Sequence, residues 1–147
     1  MALIDKIQSR ILGLRENLPQ IISSEIKNNE ESIINLNQDQ LLAGKRTDGT
    51  NNEPYSRDTI TRRNRKGNPV RNSLITLYEY GDFYKSMLLK IDNKKFSIIA
   101  TDKKTNLILD KSYGKKTLGL TKESFTKLYK EIYPQVKKKT ILYLKGL

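Results

Sequence analysis

Leu3, Ile7, Ile11, Leu14 and Leu18 step by four, four, three and four residues, the spacing that draws one apolar stripe along an α-helix. A stripe of that length constrains the whole chain, because another element or another subunit has to cover it. Pro19 removes a backbone donor. A second helix is therefore expected to begin there, capped by Asn17, with Pro19 in its first turn. Ile22, Ile26, Ile33, Leu36 and Leu41 fall on one side of that second piece, and Gly44 supplies the stop that a helix C-terminus uses. Residues 1–42 thus read as an N-terminal helical arm. Its stripe packs either on the rest of the domain or on a neighbouring subunit, and it is longer than a small sheet can cover.

Residues 43–72 read as an extended basic loop. Gly44, Asp48-Gly49, Asn51-Asn52, Pro54, Gly67-Asn68-Pro69 and Asn72 punctuate it, with few apolar side chains between them. Connections in compact domains have a median of about 4–6 residues, and much longer ones are functional or disordered. This one is expected to order only against partners. It carries Arg57, Arg62, Arg63, Arg65, Lys66 and Arg71 within fifteen positions. Arginine suits bidentate contacts with carboxylates and phosphates alike, so the loop is expected to meet an acidic protein neighbour or the phosphates of DNA. The alternative is a solvated charge run. From residue 80 onward the bases are sixteen lysines and no arginine, a composition that reads as a hydrated surface.

Residues 73–147 change pattern and read as an α+β domain. Leu74, Thr76 and Tyr78 alternate as a short strand. Met87, Leu89 and Ile91 then alternate with Leu88, Lys90 and Asp92, and Phe96, Ile98 and Ala100 with Ser97, Ile99 and Thr101. Asp92-Asn93-Lys94-Lys95 between them has turn chemistry, so residues 85–101 form a β-hairpin. Leu107-Ile108-Leu109 is a possible further strand. Thr121 is a good N-cap with Glu123 in the first turn. Phe125, Leu128, Ile132 and Val136 line one face of a helix over 121–136, which Pro134 kinks or ends. Thr140 to Leu144 suits a helical turn or a strand. The fold class is α+β: a long N-terminal helical arm, a small antiparallel sheet with a hairpin, a C-terminal helix and a long basic loop.

The inventory of reactive groups is thin. Cysteine, histidine and tryptophan are all absent, which removes thiol nucleophiles, disulfides, Cys/His metal sites and imidazole bases together. Neither catalytic nor metal-binding residues are expected, nor a cofactor or small-molecule substrate. Asp82, beside Gly81 and aromatic neighbours, is the best lone acid, and it reads as the cap of a turn or helix starting at Phe83. Gly44-Lys45-Arg46-Thr47-Asp48-Gly49 lacks the spacing of a phosphate-binding loop, and Asp48 to Asp58 lacks calcium-loop ligands at the third, fifth and twelfth places. No run approaches the ~18–20 apolar residues of a membrane span. The N-terminus, with Asp5 and Lys6 early, does not read as a signal peptide. The chain is expected to be soluble, and the bases exceed the acids by +12, all of the excess falling after Gly44.

Leu77-Tyr78-Glu79-Tyr80-Gly81-Asp82-Phe83-Tyr84-Lys85-Ser86-Met87 resembles a short segment of small virion-morphogenesis and tail-completion proteins of tailed bacteriophages. Its flanking features are similar to those of such proteins from phages of Bacteroidota, including the crAss-like group. Gly44-Lys45 with Asp48-Gly49 and Pro54-Tyr55 upstream is similar as well. So are Thr101-Asp102-Lys103, Tyr113-Gly114 and Leu118-Gly119-Leu120-Thr121-Lys122-Glu123-Ser124 downstream, an ordered succession over residues 38–136. One departure is Tyr80, where the family's motif prefers Thr. The resemblance implies a strand leading through Gly81, Asp82, Phe83 and Tyr84 into a short helix and a hairpin. It also implies a structural component of a phage neck or tail, a head–tail connector or tail-completion ring subunit assembled in the bacterial host and carried in the virion. Its partners would be other copies in a homo-oligomeric ring, other neck or tail proteins and genomic DNA met without sequence preference, with no membrane. Leu3, Ile7, Ile11, Leu14 and Leu18 would then pack between subunits. The alternative function is a non-specific DNA-binding protein that uses the arginine-rich loop.

Overall fold

Two long amphipathic helices set the shape of the molecule. A computed structural model describes residues 3–92, 95–105, 109, 113, 114 and 116–146. Helix α1 spans Leu3–Asn28 and α2 Glu30–Leu42. The helix break therefore falls at Asn29 and not at Pro19, correcting the sequence expectation. A proline inside a helix costs about 3 kcal/mol, but Asn17 on one side of Pro19 bonds Tyr143 and Glu25 on the other pairs with Lys139, and these ties to the C-terminal helix hold α1 across it. Asn17 does not act as a cap. Its side-chain amide donates to the Gly13 carbonyl at 2.7 Å and to the Tyr143 hydroxyl at 3.1 Å.

The segment expected to be a bare loop contains a helix, α3 (Arg57–Arg65). Ser56 caps it, its Oγ accepting from the Thr59 N–H at 3.2 Å. Bonds within the chain fix this segment: an isolated antiparallel bridge joins Pro54 to Leu74, another joins Lys45 to Asn51, and the Asn68 amide donates to the Glu79 carbonyl at 2.6 Å. The strand expected at Leu74–Tyr78 is reduced to that first bridge. Leu77 takes a φ of +58°, which breaks an extended run before it can pair further.

Helix α4 (Asp82–Lys85) leads directly into β1 (Met87–Asp92) and β2 (Lys95–Ala100). These pair antiparallel with Met87 opposite Ala100 and Leu89 opposite Ile98, which is the expected hairpin. A two-stranded ribbon is marginal alone; here Met87, Leu89 and Ile98 turn inward onto Ile33, Leu41, Phe83, Tyr84, Leu128 and Ile132 to form the core. Of the possible third run, Leu107 and Ile108 lie outside the described residues, as do the hairpin-tip residues Asn93 and Lys94.

Helix α5 (Lys122–Lys145) starts at the Thr121 cap, whose Oγ1 accepts from the Ser124 N–H at 3.1 Å. It continues through Pro134, so Thr140 to Leu144 is helical. α5 runs antiparallel to α1: Arg10 donates to the Leu144 carbonyl at 2.9 Å, buried Glu25 pairs with Lys139, and Ser32 at the start of α2 donates to Glu131 at 2.8 Å. The architecture is α+β.

Candidate assembly surface

The arginine-rich segment divides on the surface of α3. At 100° per residue, Arg57, Thr61, Arg65 and Arg62 share the outer half of the helix, and Arg63 sits on the inner half. Arg63 is 3% exposed. Its guanidinium donates to the Asn68 carbonyl at 3.0 Å and to Asn68 Oδ1 at 3.4 Å, and it lies 5.6 Å from the centre of the Tyr55 ring. This arginine holds the α3 turn together, which corrects its reading as a partner contact. Arg62 reaches Glu79 at 3.4 Å, and Arg71 stacks over Tyr78 at 4.6 Å. Arg57, Arg65 and Lys66 point to solvent.

The Gly81-Asp82-Phe83-Tyr84 motif is structural. Gly81 adopts φ +88° as the N-cap of α4, a left-handed conformation that a side chain resists, and a Cβ there would come within 3.1 Å of the Tyr78 hydroxyl. Asp82 is therefore the first helical residue and not the cap, and it is exposed. Phe83 and Tyr84 are core residues. Tyr84 donates to the Thr76 carbonyl at 2.5 Å and meets Tyr78 edge-on, ring centres 5.1 Å apart. Burial pushes its phenol well above the usual tyrosine range.

The N-terminal stripe is split by where α5 ends. Leu14 and Leu18 are half-buried, whereas Leu3, Ile7 and Ile11 are 74%, 48% and 55% exposed, with Ile4 at 67% beside them. Because Arg10 sits level with Leu144, the first seven residues of α1 overhang the end of α5 by about 10 Å at 1.5 Å per residue. We call this apolar overhang, together with Ile11 just behind it, the ridge.

A second apolar surface lies farther along the same helix pair. Ile22 and Ile26 of α1, Phe96 of β2, and Phe125, Tyr129 and Tyr133 of α5 flank an open groove of about 590 Å³. Phe125, Tyr129 and Tyr133 are about half exposed, and the two tyrosine rings stack at 5.2 Å. Phe125, Leu128, Ile132 and Val136 share the face expected of them, and all four line the groove, Phe125 at its exposed edge. The four-residue spacing of these aromatics was the signal that would have found the groove. α5 around it carries seven lysines against two glutamates.

Among the described residues no group of His, Cys, Asp or Glu side chains is arranged to hold a metal ion, and no helix is long and apolar enough to cross a membrane. What the surface offers chemically is apolar area on one side of a cationic helix. Comparison with known protein families, curated proteins and solved structures finds no match to this chain.

Proposed function

We propose that this chain is a structural subunit of a tailed-phage neck or tail, working by assembly as a member of a homo-oligomeric ring in head–tail joining or tail completion. One observation carries the assembly part of the reading: the surface is too large for a self-contained molecule. The chain exposes 10367 Å², against about 7,700 Å² for a compact monomer of 17.0 kDa. The excess, about 2,600 Å², exceeds the ~1,600 Å² that a subunit loses to two neighbours at about 800 Å² each. Large exposed apolar residues (Leu3, Ile4, Ile7, Ile11, Phe125, Tyr129 and Tyr133) supply the kind of area that association removes from water. The virion part rests on the motif resemblance, and the passage from Gly81 through α4 into the hairpin is in keeping with it. Arg57, Arg65 and Lys66 would face acidic patches on adjoining proteins or passing DNA.

Mass spectrometry of purified phage particles that encode the chain tests the reading. A virion subunit is recovered in fixed, multiple copies per particle and survives stringent washing. Its absence from finished particles, or recovery only from the soluble lysate on DNA, would overturn the proposal and favour the DNA-binding alternative.

A further inference from the structure

We infer that the apolar ridge of one copy seats in the α1–α5 groove of the next, a head-to-tail contact between copies of this chain. This deepens the assembly reading above and rests on it.

Four observations select a second copy as the occupant and this register as the contact. First, ridge and groove are complementary in kind: Leu3, Ile4 and Ile7 project from the helical overhang with Ile11 exposed just behind it, and Ile22, Phe125, Tyr129 and Tyr133 flank an open trough. A helix laying i, i+4 anchors into an apolar groove is an established mode of recognition. Second, the ridge fits within the groove. Leu3 to Ile11 spans about 12 Å, and the α5 wall from Phe125 to Ile141 runs about 24 Å. Third, the chain cannot satisfy itself. Ridge and groove wall belong to one continuous helix, α1, so the overhang points away from its own groove. Fourth, charge opposes the two-fold alternative. Joining groove to groove would set one α5 against another, each with Lys137 on the groove wall and seven lysines in all, of which Lys127 and Lys139 are paired within the chain, whereas residues 3–14 bring only Lys6 and Arg10 with Asp5. Like charges brought face to face cost affinity, and ridge-in-groove avoids that.

Such a contact uses different patches on the two partners. Repeated, it makes a closed ring when the rotation closes and a filament when it does not. Each copy then buries one ridge and one groove, taking apolar area out of water on both faces.

The test uses complementary variants of the full chain. Ile7→Glu disables the ridge and Tyr129→Glu the groove; both sites are about half exposed, and Glu is a good helix former, so circular dichroism should be unchanged. Wild type should have a mass several-fold above 17.0 kDa, and each variant alone the mass of one chain. Mixed in equal amounts, the variants should double in mass and stop, because the intact groove of one accepts the intact ridge of the other and both remaining ends are blocked. A mixture that stays monomeric, an Ile7→Glu chain that assembles like wild type, or a wild type that is monomeric when concentrated would each overturn the inference.

A second readout does not depend on destabilising anything. The chain has no cysteine, so an Ile7→Cys chain mixed with a Tyr133→Cys chain should cross-link to each other on oxidation in preference to themselves. Predominant self-linking of either chain would overturn the register. Failure here with the protein still present in particles leaves the virion reading standing and removes only this interface. Success here with the protein absent from particles does the reverse.

Discussion

Replacing Lys139 by Met tests whether the α1–α5 pairing is the spine of the molecule. Glu25 lies in the last turn of α1, 5% exposed, and its carboxylate pairs with the Lys139 ammonium on α5. Met keeps the apolar stem of Lys139 and deletes the charge, so packing is held nearly constant while the carboxylate is stranded. Removing one partner of a buried pair costs about 3–5 kcal/mol. The Lys139 side chain is 45% exposed, so water partly replaces it and the lower end, about 3 kcal/mol, applies. With a urea m-value of about 2 kcal/mol/M for a chain of this size, the unfolding midpoint should fall by about 1.5 M. That is a large share of the ~5–15 kcal/mol that holds a domain together. Adding Glu25→Gln to the Lys139→Met chain removes the stranded charge and should recover part of the loss, giving a double-mutant coupling of opposite sign to the first effect. A Lys139→Met midpoint within about 0.3 M of wild type would refute the reasoning, because it would mean that Glu25 is not enclosed between the helices.

Three further outcomes follow from local geometry. Gln40 ties α2 to the loop before α5, donating to the Gly119 carbonyl at 2.6 Å and accepting from the Thr121 N–H at 3.0 Å; Gln40→Ala leaves that buried amide unpaired and should cost about 2 kcal/mol, read by thermal unfolding and by faster exchange of the Thr121 amide. Ser56→Ala removes the α3 cap, worth about 1 kcal/mol, and should speed amide exchange over 59–63 more than it lowers the global midpoint. Lys116, and then the hydroxyl and N–H of Thr50, hold the Asp48 carboxyl well below its ordinary range. Because the folded value is the depressed one, this group's stabilisation is full above the unfolded carboxylate value of about 4 and fades as pH falls toward the folded value. Asp48→Asn should therefore flatten the loss of stability in acid and leave the neutral-pH slope alone.

The parts of the fold legible in the sequence are those whose pattern is local. The stripe from Leu3 to Leu18 gives α1, the alternation of Met87–Ile91 and Phe96–Ala100 gives the hairpin, and Thr121 marks the start of α5. What the pattern hides is set by packing across the chain. Pro19 and Pro134 look like breaks, yet both helices continue because residues on either side are held by other elements, Asn17 by Tyr143 and Glu25 by Lys139 around the first, Ile132 and Val136 by the core around the second. α3 is masked by arginines and by the glycines and asparagines around it, although Ser56 and Asp58 were readable as its first turn. Arg63 is indistinguishable from Arg62 in a list of charges; only the nearness of Asn68 and Tyr55 makes one a buried tie and leaves the other on the surface. The ridge was readable as an apolar stripe, but its exposure depends on where α5 ends, 134 residues from Arg10 in sequence.

On the assembly proposed above, copies of this chain bind one another through α1. Light scattering of the purified wild-type protein, over a dilution series and beside Ile7→Glu, tests it most directly. Wild type should be a discrete multimer, insensitive to added duplex DNA, and the variant a single chain of 17.0 kDa. A wild type that stays at the mass of one chain at every concentration, or a variant that matches wild type, would contradict it.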